Sequence, residues 1–293
     1  MKRYKLVHKT IYEYPSLVMG YQSLLCLAPR NMPGQVCDDF ELAIDPAPSE
    51  IVERKDYFGN TTHYFSLHTT HQELSVTAIS LVHRDNESVG DAQALPDITC
   101  EEARKQLAQD RSLRMGLLEF MLPSPMVRWD DEIVAFAQDC FQDQLPLYEC
   151  AKRFCQKIFS VFDFVPDFST INTPIKEVLA AKKGVCQDFS HLAIACIRGM
   201  GFPVRYVSGY LETLPPPGKE KLQGSDASHA WISVFIPDFG WCDFDPTNNM
   251  VPGDRHIITA YGRDYSDVPP MKGIIFSSGK QKLKVEVDVI PLE

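Results

Sequence analysis

The chain has 293 residues, with 39 acidic against 29 basic side chains, a net charge of −10 and a pI near 5.3. That balance argues against nucleic acid as the main partner, because phosphate binding needs a basic surface. A hydrophobic content of 44% with 23% charged residues fits a soluble globular protein of one large or two ordinary domains, and no apolar run reaches the length of a membrane-spanning helix.

The first ten residues are basic without the apolar stretch of a signal peptide and read as a first strand. Together with an odd number of cysteines, nine, this start places the protein in a reducing cytoplasm with free thiols. Residues 1–83 carry strand signals between turn residues: Phe40, Leu42 and Ile44 alternate, and Ser75 to Val82 is the clearest strand. Asp56 to Asn60, with its Gly-Asn pair, predicts a hairpin turn. A polar stretch at 85–98 reads as a linker. A helical pattern then runs from Thr99 to about Leu122, followed by helices near 130–143 and 147–160. Thr173-Pro174 predicts the start of a short helix ending at Gly184, and the next helix runs from Cys186 to about Met200. Strands follow at 204–211, 230–236 and 241–245. Leu283, Val285, Val287 and Val289 alternate as a last strand, expected to return to the N-terminal sheet. The proline-rich stretch 214–225 is either a loop that selects substrate or a plain connector.

Chemistry concentrates at Cys186. It opens a segment in which Phe189, Leu192, Ala193, Cys196, Ile197 and Met200 fall at helical spacing. A helix N-terminus favours thiolate over thiol, and its unpaired N–H groups can hold an oxyanion. His229 and Asp245 supply an imidazole and a carboxylate, the parts of a base and the group that orients it. In the strand 229–236, Ala230, Ile232, Val234 and Ile236 share one face, with His229, Trp231, Ser233 and Phe235 on the other. A loop over 236–240 pairs Phe235 with Trp241. Asp245 then opposes Trp231 and becomes a diagonal neighbour of His229, roughly 7–8 Å away at Cα.

These residues resemble a family. Gly184-Val185-Cys186-Gln187-Asp188-Phe189-Ser190-His191, Ser228-His229-Ala230-Trp231 and the run from Gly240 to Asn249 are similar to the bacterial transglutaminase-like cysteine enzymes, which share a papain-like core. Arg205 to Tyr210 resembles the strand after the catalytic helix, and Gly262 to Pro270 the closing segment. Tyr12-Glu13-Tyr14, Leu27 to Arg30 and Asp56 to Asn60 resemble the family's N-terminal β region. The resemblance implies an α+β fold: an N-terminal β domain at 1–90, a papain-like transglutaminase core at 91–275, and a C-terminal strand in 276–293. It also implies that Cys186 is the nucleophile, His229 the base and Asp245 the orienting acid. The activity implied is acyl transfer on an amide or peptide through a thioester. Water as acceptor makes a hydrolase, the leading choice; an amine acceptor makes a transamidase; a peptide-binding scaffold is the non-enzymatic alternative.

Other candidates read more plainly. Asp188 sits in the first helical turn, where the dipole favours a carboxylate, and is read as structural. His191 lies five residues along the helix, about 140° away from Cys186, and reads as a packing residue. Trp231 and Trp241 flank the site and read first as core, with a contact to substrate as the alternative; Asp243 reads as a substrate or hydrogen-bonding group. Cys140, Cys150 and Cys155 lack zinc-site spacing, and His63, His68 and His71 read as surface residues, so no metal or cofactor is expected. No glycine-rich phosphate loop is present.

Overall fold

The computed structural model describes residues 2–85, 95–213, 226–275 and 280–292. Six strands fill the N-terminal third: β1 (Lys2–Val18), β2 (Tyr21–Leu25), β3 (Gln35–Asp45), β4 (Ile51–Lys55), β5 (Thr61–Leu67) and β6 (His71–Arg84). The middle carries helices α1 (Cys100–Gln109), α2 (Arg111–Leu117), α3 (Asp131–Ala135), α4 (Leu147–Val161), α5 (Ile175–Ala181) and α6 (Cys186–Gly199). Two short strands, β7 (Asp163–Phe164) and β8 (Lys183–Gly184), pair in parallel just before α6. The chain then forms β9 (Val204–Leu211), β10 (Ser228–Ile236), β11 (Gly240–Phe244), β12 (His256–Gly262), β13 (Met271–Ile275) and β14 (Lys282–Leu292).

The strands make three four-stranded antiparallel sheets, ordered β14-β1-β6-β3, β13-β2-β5-β4 and β11-β10-β9-β12. Alternation explains the first: along β6 every second residue from Leu74 onward is buried, and Leu74, Val76 and Ala78 meet Tyr21, Leu25, Phe65 and Leu67 of the second sheet. β14 returns to pair with β1 over its whole length, with Val287 and Val289 buried. The same happens one strand earlier. Met271–Ile275, placed in the core by the sequence reading, pairs with β2 of the N-terminal region.

The third sheet is covered on both faces. Ala230, Ile232, Val234 and Ile236 of β10 pack with the helices around α6, whose residues Asp188 to Arg198 are all buried. On the opposite face, Trp231, Val207, Ile258 and Tyr261 cluster beneath Met32 of the N-terminal region. Side-chain amides close this seam. Gln35 donates from Nε2 to the Ile258 carbonyl at 2.7 Å and accepts the Ile258 N–H on Oε1 at 2.8 Å. Asn60 does the same for Tyr261, donating at 2.8 Å and accepting at 2.9 Å.

Several helices are shorter than their apolar patterns suggest. The pattern from Thr99 breaks at Asp110, whose carboxylate accepts the Leu113 N–H and starts α2. α3 stops at Ala135, short of the predicted 143, and α5 ends on Lys182 in a left-handed conformation (φ 55°) rather than at Gly184. His63 and His71 are buried, not surface residues. The predicted loop at 214–225 and most of the predicted linker at 85–98 lie outside the described residues. No helix among the described residues is long and apolar enough to cross a membrane.

Candidate active site

Cys186 is the first residue of α6, as its sequence position predicts, and is half-buried against the helical core. The turn before it is held by Asp188, which reaches back to accept the Val185 N–H at 2.8 Å and also takes the Ser169 hydroxyl. Burial raises the Asp188 pKa against those two hydrogen bonds. Its role is the structural one expected, and Gly184 makes room for it: a Cβ there would come within 2.9 Å of the Asp188 carboxylate. Gln187 donates to the Ile171 carbonyl at 3.3 Å.

The hairpin register is the predicted one. Phe235 opposes Trp241 and Ser233 opposes Asp243, although the strands pair as far as Ile236 and Gly240, so the loop is only Pro237–Phe239. Continuing the register carries Asp245 opposite Trp231, and the diagonal contact forms: His229 Nε2 lies 2.8 Å from Asp245 Oδ2. Asp245 has no exposed surface. Its Oδ2 also accepts from Asn248 Nδ2 at 2.8 Å and faces His256 Nε2 at 3.2 Å, while Oδ1 accepts the backbone N–H groups of Thr247 and Asn248.

These contacts set the electrostatics. Burial opposes charge on His229, but the Asp245 carboxylate, hydrogen-bonded to it, and after it the nearby Cys186 sulfur push its pKa up to about 10. Burial likewise opposes charge on Asp245. The bonds from His229, His256 and Asn248 overcome it and hold the carboxylate well below its usual range. With Nε2 turned to Asp245, Nδ1 is the ring nitrogen left for the Cys186 sulfur.

Trp231 has no exposed surface, which fits the core reading and not the alternative of a direct contact with substrate. Its indole stacks on His229 (centroids 5.8 Å apart), meets His256 edge-on (5.1 Å) and donates Nε1–H to Asp243 at 3.1 Å. Asp243 is thus taken up in holding Trp231. Trp241 is half-buried under the Arg205 guanidinium, 4.3 Å from its ring centre. Gly209 lies beneath Trp231, where a Cβ would meet Trp231 Cη2 at 2.8 Å and the Ile257 carbonyl at 2.0 Å. His191 accepts the Tyr265 N–H at 3.1 Å, and burial lowers its pKa to about 4, which leaves it an uncharged packing residue as expected. A cavity of about 400 Å³ opens beside it, between Trp129, Ile133, Ile171 and Ile175; none of the three catalytic candidates lines it.

Sequence reasoning missed His256 and Asn248. Asn248 follows Asp245 in the quoted motif and could have been suspected as an Asx-type partner, but no pattern around His256 marks it. Among the described residues, the donor atoms of His229, Asp245 and His256 all lie within 4.8 Å of one another, a set able to hold a divalent cation.

Comparison with known proteins agrees with this architecture. Residues 4–83 match the bacterial transglutaminase-like N-terminal region, and residues 134–246, which include Cys186, His229 and Asp245, match the transglutaminase-like superfamily. An uncharacterized protein of Mycobacterium tuberculosis is 38% identical over 296 residues, covering 99% of this chain and 93% of the relative. A 72-residue segment is 32% identical to part of a protein-glutamine gamma-glutamyltransferase of Pseudomonas aeruginosa, covering 24% of this chain and 11% of that protein. The crystal structure of a candidate cysteine protease from Cytophaga hutchinsonii superposes with a TM-score of 0.76 at 20% identity, covering 100% of this chain and 91% of that one, and so shares the fold. From its β-rich start through the segment carrying Cys186, His229 and Asp245, the chain belongs to the transglutaminase-like superfamily, with the N-terminal region of its bacterial members.

Proposed function

We propose that the protein is a cysteine-dependent acyl-transfer enzyme acting on an amide or peptide, with hydrolysis as its main reaction. The observation that carries this reading is the shared ring of His229. Its Nε2 lies 2.8 Å from a buried carboxylate, and its pKa is raised by that carboxylate and by the Cys186 sulfur at the start of α6. A cysteine at a helix start with an oriented imidazole as its base is the arrangement that supplies a nucleophile toward acyl carbons.

In the proposed reaction the Cys186 sulfur adds to the amide carbonyl carbon, and N–H groups at the start of α6 face the oxygen that gains charge. The C–N bond then breaks, the amine leaves with a proton from His229, and a thioester remains on Cys186. His229, now neutral, takes a proton from water as its oxygen attacks the thioester. The C–S bond breaks, releasing the acid and restoring the pair. Asp245 keeps the ring in one orientation and its proton on Nε2 throughout. If an amine replaces water in the second half, the product is a new amide. The similarity of one segment to a protein-glutamine gamma-glutamyltransferase favours keeping this as the second reading.

The test is a peptide-release screen run alongside incorporation of a labelled amine, with Cys186→Ala as control. Release lost in the variant, with little amine incorporated, supports hydrolysis. Dominant incorporation supports transamidation. A wild-type protein whose release is unchanged by Cys186→Ala refutes both.

A further inference from the structure

We propose that His256 is a positioning residue of this site, whose ring N–H bonds the Asp245 carboxylate and holds it aimed at His229. The inference rests on the reading of Cys186, His229 and Asp245 given above.

Asp245 has no exposed surface, and burial alone would favour the protonated acid. Of the side chains that offset this, His229 and His256 both meet the same oxygen, Oδ2, at 2.8 and 3.2 Å. They are not equivalent. His229 is pushed toward the cation, whereas burial lowers the His256 pKa, against the bond and charge of Asp245. An uncharged His256 meets the carboxylate as a donor only if Nε2 carries its proton, so the contact also fixes the tautomer.

A neutral donor suits this position. It stabilises the carboxylate without adding a second cation that would compete with His229 for its charge. The other charged groups acting on His256 are Asp245 and His229 themselves and Asp243 of β11.

The topology explains how the two rings reach one oxygen. On β9, Gly209 opposes His229 of β10 and Leu211 opposes His256 of β12. Positions 209 and 211 share a face, so one strand sets both imidazoles on one side of the sheet. Trp231 then touches both rings and restricts them. The same three donors could bind a divalent cation, but a cation takes the Nε2 lone pairs that the hydrogen-bonded arrangement needs protonated. The two arrangements exclude each other and are distinguishable.

The test uses two substitutions in the full chain. His256→Phe keeps a ring against Trp231 and removes the donor; His256→Gln keeps a side-chain N–H. Thermal melting checks that both fold. NMR titration of the His229 ring reads the carboxylate's influence directly, without reference to activity. Iodoacetamide labelling, resolved by mass spectrometry, gives the rate at Cys186. His256→Phe is expected to lower the midpoint of the His229 titration and slow Cys186 labelling at neutral pH about tenfold, with His256→Gln within about threefold of wild type. A folded His256→Phe with an unmoved His229 titration overturns the proposal, as does equal loss in both variants. Stoichiometric metal in the wild-type protein that is absent from both variants also overturns it, by making His256 a ligand. If wild-type Cys186 reacts no faster than the other thiols, the failure belongs to the parent reading, and the His229 titration still decides the part played by His256.

Discussion

Replacing Asp245 by Asn separates charge from shape at the centre of the site. The amide has the size of the carboxylate, but in either orientation its NH₂ group faces donors: His229 Nε2, His256 Nε2 and Asn248 Nδ2 converge on Oδ2, and the Thr247 and Asn248 N–H groups on Oδ1. The rise of the His229 pKa from 6.5 to about 10 corresponds to about 5 kcal/mol of preference for the imidazolium, shared between the carboxylate and the Cys186 sulfur. Taking about half of this for Asp245, the substitution lowers the His229 titration midpoint by about two pH units. The folded state loses about 3 kcal/mol at neutral pH, as expected when one partner of a buried pair is removed. Urea unfolding at pH 7 measures the second quantity, and NMR titration of the His229 ring the first. Peptide release is expected to fall at least about 100-fold, because both the proton on His229 and the ring's orientation are affected. If the variant keeps His229 protonated up to pH 9, or loses less than about 0.5 kcal/mol, the carboxylate is not what holds the imidazolium, and the reasoning fails.

Other expectations follow from the same geometry. The stability difference between wild type and Asp245→Asn has a pH signature: the raised His229 pKa makes its contribution full below about pH 6.5 and lost as pH climbs to about 10, so urea midpoints of the two proteins should converge across that window. Asp245, depressed below its ordinary 3.8, should hold its contribution above pH 4 and lose it only in stronger acid. Gly209→Ala forces a Cβ against the Ile257 carbonyl and the Trp231 ring, and should cost about 3 kcal/mol or prevent folding in a urea titration; a neutral result would mean that β9 and β12 are not this close. Asp188→Ala leaves the Val185 N–H at the start of α6 without its carboxylate partner and should cost about 1–2 kcal/mol, with a parallel drop in Cys186 labelling rate.

The parts of the site that were legible in the sequence are those governed by local periodicity. The 3.6-residue spacing after Cys186 gives the start of α6 correctly, because capping and apolar spacing act within one turn. The period of two along β10, with a loop length whose parity fixes the register, carries Asp245 to His229. His256 was illegible for the opposite reason. Its place depends on β12 joining β9 across a chain reversal, and nothing within ten residues of it encodes that pairing. The same holds for β13, which no pattern in the sequence marks as a partner of β2, whereas the alternation of β14 did point back to the N-terminal sheet. α3 was overestimated because an apolar stripe also fits a sequence of turns packed under α4.

The amide side chains of Gln35 and Asn60 have a consequence for how this chain can be divided. β12 is the outer strand of the third sheet, and its backbone groups at Ile258 and Tyr261 are met by two side chains from more than two hundred residues earlier, with the Arg30 N–H also bonded to the Ile258 carbonyl. Cutting the protein before residue 95 would uncover an extended edge with unmet donors and acceptors, together with the apolar patch around Trp231, Ile258 and Tyr261. Such an edge is a template for pairing with another copy. The N-terminal region is thus a guard against self-association as well as a neighbour, and residues 95–293 alone should be recovered as aggregate rather than as a smaller folded protein.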